Sequence, residues 1–195
     1  QVRIWNLKLT LVDQSAAARP IGGAEVTVPG LGTVTTASDG SVPFNLAPSG
    51  TYSMTAMWMS QYNPSAVTIA KSTIPLQTTT DIIVPATVYD AELQLVSPSG
   101  KPISGAEMSL AGVALGMTGA DGKVVAPQVP SKYTETGAVA YPVNATWLGR
   151  DVSPGRVTIT ASRTYILTAT NVATMTVQVV GAGGQGLNAA QVDSK

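Results

Sequence analysis

Residues 19–44 read RPIGGAEVTVPGLGTVTTASDGSVPF, and both ends of this stretch return later in the chain. The pattern Pro-Ile-x-Gly-Ala-Glu starts at Pro20 and again at Pro102, and the pair Asp39-Gly40 returns as Asp121-Gly122, each 82 positions further on. Similarity at one fixed spacing is the mark of a repeated structural unit. The stretch therefore predicts a duplicated scaffold rather than a reaction centre.

The two Asp-Gly pairs are the sharpest local signals in the repeat. Asp and Gly both tolerate the positive φ angles of tight turns, so Asp39, Gly40, Asp121 and Gly122 are predicted to be structural turns. A calcium site would need several oxygen ligands, whereas each pair stands alone in the sequence. We therefore favour the turn interpretation over a metal site.

Apolar and polar residues alternate through most of the remaining sequence. In residues 5–12 the apolar side chains fall at every second position, which is the period of a half-buried strand. The same reasoning predicts an all-β fold, with further strands near 24–28, 33–36, 42–46, 52–58, 67–74 and 81–88. The fourth strand is expected to alternate through Val42, Phe44 and Leu46, and strand 52–58 to be covered on both faces for part of its length.

The repeat divides the chain into three parts. Residues 1–88 are predicted to form one β-sandwich module and residues 89–172 a second, with an insertion near Glu135. Residues 173–195 match the start of the second copy at an offset of 84 and predict the opening hairpin of an incomplete third module. Two strands cannot be stable alone. Either the sequence is a piece of a longer repetitive protein, or another chain completes the hairpin by strand addition.

Composition argues against several classes of function. The chain of 195 residues carries 11 basic and 11 acidic residues without a run of like charge, which argues against a nucleic-acid partner. It has no Cys and no His, which excludes disulfides, thiolate or imidazole catalysis and Cys/His metal sites. No apolar run is long enough to cross a bilayer. We expect a protein that is not an enzyme, with no cofactor, no metal and no membrane insertion in this segment.

Two kinds of polar residue deserve separate consideration. Glu25 and Glu107 recur, but each alternates away from the apolar face, so solvent-exposed carboxylates are expected rather than a catalytic pair. Asn144-Ala145-Thr146 has the N-glycosylation acceptor pattern, so Asn144 is a possible glycan site.

The tryptophans and methionines of the two copies could belong to the core or to a binding surface. Trp58 and Trp147 occupy matching positions in the two copies, which favours a place in the core or at a strand end over a sugar-stacking surface. Met54, Met57 and Met59 are expected to fill gaps in the core.

The order of motifs resembles that of carboxypeptidase-regulatory-like and CnaB-like domains: Pro-Ile-x-Gly-Ala-Glu, then Asp-Gly, an apolar strand and Pro-Ser-(Gly)-x-Tyr. The resemblance implies Ig-like or prealbumin-like β-sandwiches of about seven strands, joined end to end, as in bacterial and above all archaeal cell-surface proteins. CnaB-like domains often carry a Lys-to-Asn or Lys-to-Asp isopeptide bond. Lys8 is on the matching strand, but it alternates with Leu7 and Leu9, and the second copy has Glu92 there. No such bond is expected.

Two functions remain open at this point. The first is a non-catalytic, stiff spacer of an extracellular surface layer, stalk or filament, whose partners are copies of itself or other cell-surface proteins. The short connection at residues 87–91 supports it, because it is too short for a flexible tether. The second is an adhesion module that binds carbohydrate or protein through loops at one end of a sandwich, with residues 135–141 as the expected contact.

Overall fold

The computed structural model describes residues 3–131, 139–173 and 178–186. These residues form strands and no helix, which confirms the all-β prediction. The strands are β1 (Ile4–Val12), β2 (Glu25–Val28), β3 (Gly32–Thr35), β4 (Ser41–Pro48), β5 (Gly50–Trp58), β6 (Val67–Leu76), β7 (Thr80–Pro85), β8 (Val88–Val96), β9 (Glu107–Leu110), β10 (Val113–Met117), β11 (Lys123–Pro130), β12 (Ala140–Trp147), β13 (Arg150–Asp151), β14 (Gly155–Thr158) and β15 (Arg163–Thr168).

Strands β1 to β7 form two facing sheets, which we call the N-terminal sandwich. One sheet has the order β4-β1-β7, in which β7 runs parallel to β1, and the other has the order β3-β2-β5-β6. Leu7, Leu9 and Leu11 of β1 are buried between the sheets, whereas Lys8 is exposed. The alternation of β1 thus places its apolar side chains in the core, where their burial stabilises the fold.

Strands β8 to β15 form a second pair of sheets, the C-terminal sandwich. Here the orders are β11-β8-β15, with β15 parallel to β8, and β10-β9-β12, with β12 also pairing with β13 and β14. Leu93 and Leu95 of β8 and Tyr141 of β12 lie in its core, which is distinct from the core of the N-terminal sandwich.

The recurring Asp-Gly pairs lie in the turns that precede β4 and β11. Gly40 has a φ of 73°, and a Cβ there would come within 2.4 Å of the carbonyl oxygen of Leu11 on β1. Gly122 has a φ of 74°, and its Cβ would lie 2.6 Å from the carbonyl oxygen of Leu95. Both positions therefore require glycine for the backbone angle and for the close approach of a neighbouring strand.

Two buried threonines recur with the same spacing of 82 positions and were not expected from the alternation pattern. The Thr36 hydroxyl donates to the carbonyl of Ile21 at 2.8 Å and accepts from the amide of Ala24 at 2.9 Å. Thr118 makes the equivalent bonds at 2.7 and 2.9 Å. Each threonine satisfies backbone groups that β2 or β9 leaves unpaired where the Pro-Ile stretch enters the strand.

The expected alternation of the fourth strand is wrong at Leu46. Val42 and Phe44 are buried, but Leu46 is 70% exposed with a φ of 57°, and Ala47 takes the buried position. The register between β1 and β4 shifts here, and the Asn6 side chain accepts a hydrogen bond from the Leu46 amide at 3.2 Å. A bulge of this kind inserts one residue and reverses the alternation beyond it.

The interpretation of β5 and its methionines is wrong in part. Met54 and Ala56 are buried, but Met57 is 40% exposed and Met59, beyond the end of β5, is 63% exposed. Strand β5 is therefore covered on one face, and of the three methionines only Met54 fills the core.

Residues 178–186 repeat the turn of the second copy and the isolated bridge found at the start of both other copies. Val180 pairs with Gly186 in an isolated antiparallel bridge, as Val12 does with Pro20 and Val96 with Pro102. The predicted hairpin also includes residues 174–177 and 187–195, which lie outside the described residues.

Candidate functional site: the junction between the two sandwiches

The connection from β7 to β8 is held by main-chain hydrogen bonds on both sides. The Thr87 amide donates to the carbonyl of Ile69 in the N-terminal sandwich at 2.7 Å, and the Thr87 carbonyl accepts from the amide of Ser131 in the C-terminal sandwich at 2.7 Å. The Thr87 hydroxyl also lies 3.0 Å from the Ile69 carbonyl and 2.6 Å from that of Ser131. Thr87 therefore joins the two sandwiches with little freedom of its own.

The side chain of Gln14 reinforces the connection. Its Nε2 donates to the carbonyl of Ala86 at 3.0 Å, and its backbone amide donates to the carbonyl of Val88 at 2.8 Å. The Gln14 carbonyl in turn accepts from the Ser162 hydroxyl of the C-terminal sandwich at 3.0 Å.

A charged cluster spans the junction. Asp13 is only 2% exposed, and its carboxylate accepts from the Ser15 hydroxyl at 2.6 Å and from the Arg19 amide and Nε at 2.9 and 3.0 Å. Arg19 also pairs through Nη2 with Asp90 of the C-terminal sandwich. Gln128 completes the cluster, donating from Nε2 to Asp13 at 3.2 Å and from its amide to Asp90 at 2.9 Å.

Opposing effects set the pKa of Asp13. Burial raises the pKa of Asp13. The hydrogen bonds from Ser15 and Arg19 together lower it by more than burial raises it, so the pKa of Asp13 lies below its ordinary value. The carboxylate is therefore held ionised within the junction, where Arg19 provides the compensating charge that a buried acid requires.

An aromatic side chain from the N-terminal sandwich enters the core of the C-terminal one. Tyr62, on the connection between β5 and β6, is 3% exposed and packs within the second core. Its neighbour Asn63 donates from Nδ2 to the Tyr141 hydroxyl at 3.1 Å, and that hydroxyl donates to the carbonyl of Pro130. Burial raises the pKa of Tyr141 to about 12, so the hydroxyl stays protonated and able to donate.

The residues predicted from sequence lie elsewhere and do not converge. Asn144 is exposed on β12, opposite Ser109 of β9, and Glu25 and Glu107 are exposed on β2 and β9. The Asp39-Gly40 and Asp121-Gly122 turns are described above. Residues 132–138, which include most of the expected contact loop, lie outside the described residues.

The two tryptophans serve equivalent structural roles. The Trp58 indole N–H donates to the carbonyl of Gly22 at 3.1 Å, and that of Trp147 donates to the carbonyl of Ser104 at 3.0 Å. Both rings are partly buried against the core of their own sandwich. These contacts fit the expected place at a strand end and occupy the polar edge of each ring.

The sequence interpretation missed Asp13, Arg19, Tyr62, Asp90 and Gln128. A signal was present, because these positions differ between the copies. Asp13 and Arg19 correspond to Ser97 and Lys101, and Asp90 and Gln128 correspond to Asn6 and Leu46.

The chemical capacity of the junction is structural. Its charged and amide side chains are hydrogen-bonded to one another, whereas the Tyr62 hydroxyl is buried with no hydrogen-bond partner among the described residues. A polar groove of about 370 Å³ runs beside Asp90, Glu92 and Arg163. Among residues 3–131, 139–173 and 178–186, no cluster of three acidic side chains could hold a metal ion. The described part of the chain also forms no helix long and apolar enough to cross a membrane.

No family model and no curated protein matches this chain. Several solved structures show weak structural similarity to this chain. The shaft pilin SpaA of Lactobacillus rhamnosus GG is 11% identical, with 89% of this chain and 100% of that chain covered and a TM-score of 0.35. The minor pilin GBS52 of Streptococcus agalactiae is 14% identical, with 90% and 99% covered and a TM-score of 0.35. The Bacillus anthracis TIE protein is 16% identical, with 85% of this chain but only 34% of that protein covered and a TM-score of 0.34. Overlaps at this level carry no information on activity or partners.

Proposed function

We propose that this chain is a non-catalytic, stiff structural segment of an extracellular surface protein such as a surface-layer, stalk or filament subunit. The observation that carries the proposal is the junction. A connection bonded on both sides, a charged cluster around the buried Asp13 and an inserted tyrosine together fix one sandwich against the other. A flexible tether between binding modules needs none of these contacts.

Three further points support this proposal. The repeated motif resembles tandem domains of bacterial and archaeal surface proteins. The side chains that could serve in catalysis or sugar binding make structural hydrogen bonds instead: Asp13 bonds within the junction, and Trp58 and Trp147 bond to main-chain carbonyls at strand ends. Repeated units joined end to end suit an elongated role in which each unit contacts its neighbours. The partners are then copies of itself or other surface proteins.

The test is a distance measurement across the junction. The chain contains no cysteine, so spin labels can be placed specifically at Thr35→Cys and Met117→Cys, which are exposed and occupy equivalent positions of the two copies. A stiff joint predicts one narrow distance distribution between the labels. A broad distribution, in a protein that circular dichroism shows to be folded, would reject the proposal.

Asn144 is proposed as a glycan site on this surface protein. Its side chain is exposed on β12 and Thr146, the third residue of the pattern, is exposed beside it on the same face. Mass spectrometry of protein from the native source should find Asn144 modified. Unmodified Asn144 in that material would refute the site.

The alternative function is an adhesion module. The polar groove of about 370 Å³ beside Asp90 and Arg163 is the observation that favours it, since it is open and offers hydrogen-bonding groups to a sugar or peptide. A glycan array with the purified chain distinguishes the two functions. Binding tighter than about 1 mM that is lost on Arg163→Ala would favour adhesion over a purely structural role.

A further inference from the structure

The far ends of the two sandwiches are the repeat equivalents of the two surfaces that meet at the junction. At the junction, the N-terminal sandwich contributes Asp13, Arg19 and Met59. The corresponding residues at the far end of the C-terminal sandwich are Ser97, Lys101 and Leu148. We call that surface the Leu148 end. It surrounds a depression of about 410 Å³ beside Lys101, Pro102, Trp147 and Val172.

The opposite surface follows by the same equivalence. The C-terminal sandwich presents Asp90 and Gln128 to the junction, and the corresponding residues of the N-terminal sandwich are Asn6 and Leu46. We call this surface the Leu46 end. Gln128 and Leu46 occupy the same bulge, with φ angles of 49° and 57°. The fold therefore displays both halves of a junction on opposite ends of one molecule.

The two ends differ from the junction in complementary ways. Met59 and Gln128 line one depression at the junction. Their counterparts are Leu148, 81% exposed, and Leu46, 70% exposed. The apolar Met59 and the polar Gln128 of the junction thus correspond to two leucines, one on each end. The acids Asp13 and Asp90 are likewise both replaced by neutral residues, so neither end would bury an acid without its partner. Of the four positions equivalent to the charged cluster, only Lys101 carries a charge.

The two ends also differ from the junction where Tyr62 is inserted. The connection that carries Tyr62 is reduced at the Leu148 end to a tight turn at Leu148-Gly149, so this end has no inserted ring to offer. The Leu46 end has Trp5 where the C-terminal sandwich has Tyr89, and the larger ring packs against its own core. An end that lacks an inserted ring would thus meet an end where Trp5 packs against the core.

We propose that the Leu148 end of one chain docks on the Leu46 end of a second copy, head to tail, through the surfaces that are equivalent to the two sides of the internal junction. The inference rests on the proposed structural role and names the surfaces through which copies meet. Val172 and Ala173 of this chain line the depression, and Ala173 is small where the other copies have Trp5 and Tyr89, so the chain's own side chains leave the depression open. Residues 178–186 are largely exposed and do not line the depression. Head-to-tail contacts do not close on themselves, so they generate linear chains.

The first experiment measures self-association of the full chain by sedimentation velocity from about 10 µM to about 1 mM, a range suited to a small, transient interface. The sedimentation coefficient should rise continuously with concentration. A chain that stays monomeric over the whole range overturns the proposal, and the spin-label distance across the internal junction still reports separately on the proposed function.

The second experiment uses two matched variants, Leu148→Asn and Leu46→Asn. Both leucines have positive φ, which Asn tolerates, so both variants should fold. Each should weaken association at least about tenfold, as expected when a leucine buried by the contact becomes polar. Ile83→Thr and Ile166→Thr, exposed on the flanking strands β7 and β15, serve as controls and should associate normally.

Mixing the two variants gives the decisive result. Leu148→Asn retains an intact Leu46 end, and Leu46→Asn retains an intact Leu148 end. An equimolar mixture should therefore form a 1:1 dimer that does not grow further, at concentrations where each variant alone associates at least about tenfold more weakly than the wild type. Association that persists in both variants, or a mixture that stays monomeric, overturns the head-to-tail contact.

Discussion

At the scale of single residues, Asp13 shows how the junction depends on one buried charge. Its pKa is lowered because the hydrogen bonds from Ser15 and Arg19 outweigh burial. A lowered pKa means that the ionised form stabilises the folded state at pH values above the unfolded pKa, about 3.9. That contribution is lost as the pH falls through the folded pKa.

Asp13→Asn should lower the free energy of unfolding by about 2 kcal/mol at pH 7, less than for a fully buried pair because Arg19 is partly exposed. Urea denaturation of both proteins at pH 7 and at about pH 2 measures the free energy of unfolding. The difference from the wild type should shrink at the lower pH, where the wild-type carboxyl is protonated. Asp81→Asn, an exposed change on β7, is the control. An equal loss at both pH values would contradict the assigned charge.

Gly40 can be tested against a glycine with the same backbone angle. Gly40 and Gly23 have φ values of 73° and 75°, but only at Gly40 would a Cβ meet another strand. Gly23→Ala should cost about 1 kcal/mol from the φ angle alone, and Gly40→Ala about 3 kcal/mol because Leu11 must also move. Thermal and urea unfolding measure both. Equal costs would show that the close approach is unimportant.

At the scale of elements, the connection between β5 and β6 carries side chains of the N-terminal sandwich into the C-terminal sandwich. It places Tyr62 within the opposite core and Asn63 against Tyr141. Because this ring belongs to one sandwich by sequence and to the other by packing, unfolding of the two sandwiches should be coupled.

Tyr62→Ala should destabilise the C-terminal sandwich by about 3 kcal/mol, the scale of losing a buried aromatic ring. It should also broaden the distance distribution between labels at positions 35 and 117. Calorimetry and pulsed spin-label measurements check the two effects. Ser65→Ala, which changes an exposed residue of the same connection, should have neither effect. A stability loss without broadening would mean that Tyr62 fills the core but does not stiffen the joint.

Sequence reasoning succeeded where a single strand carries the information. The alternation of β1 predicted Leu7, Leu9 and Leu11 in the core, and the 82-residue spacing located equivalent turns. It failed at Leu46, because the bulge depends on Asn6 of another strand. Periodicity within one strand cannot encode a register shift that its partner imposes.

The candidate site was harder to predict than the fold. Asp13, Asp90 and Gln128 meet only once two sandwiches pack, and no local pattern links positions so far apart in the chain. The usable signal is where the copies differ, because a residue needed only at an interface need not recur.

At the scale of the whole molecule, the charged cluster makes the joint sensitive to acid. Between pH 7 and about pH 2.5, protonation of Asp13 removes its attraction for Arg19, so the distance distribution between labels at positions 35 and 117 should broaden. In Asp13→Asn the width should change less with pH than it does in the wild type, because only the Arg19–Asp90 pair remains. A wild-type distribution that stays narrow while the fold persists would show that Tyr62 and the main-chain bonds suffice.

The parallel pairing of first and last strands decides how each sandwich would bear a tensile load. Since β7 runs parallel to β1, and β15 to β8, the chain enters each sandwich at one end and leaves at the other. Pulling along the molecule then draws β1 and β7 past each other in shear over their paired residues, from Leu7–Thr80 to Val12–Pro85. Hydrogen bonds loaded in shear must break together, whereas those of a hairpin pulled from one end break in succession. The strand order thus gives each sandwich a mechanical clamp in series with the next.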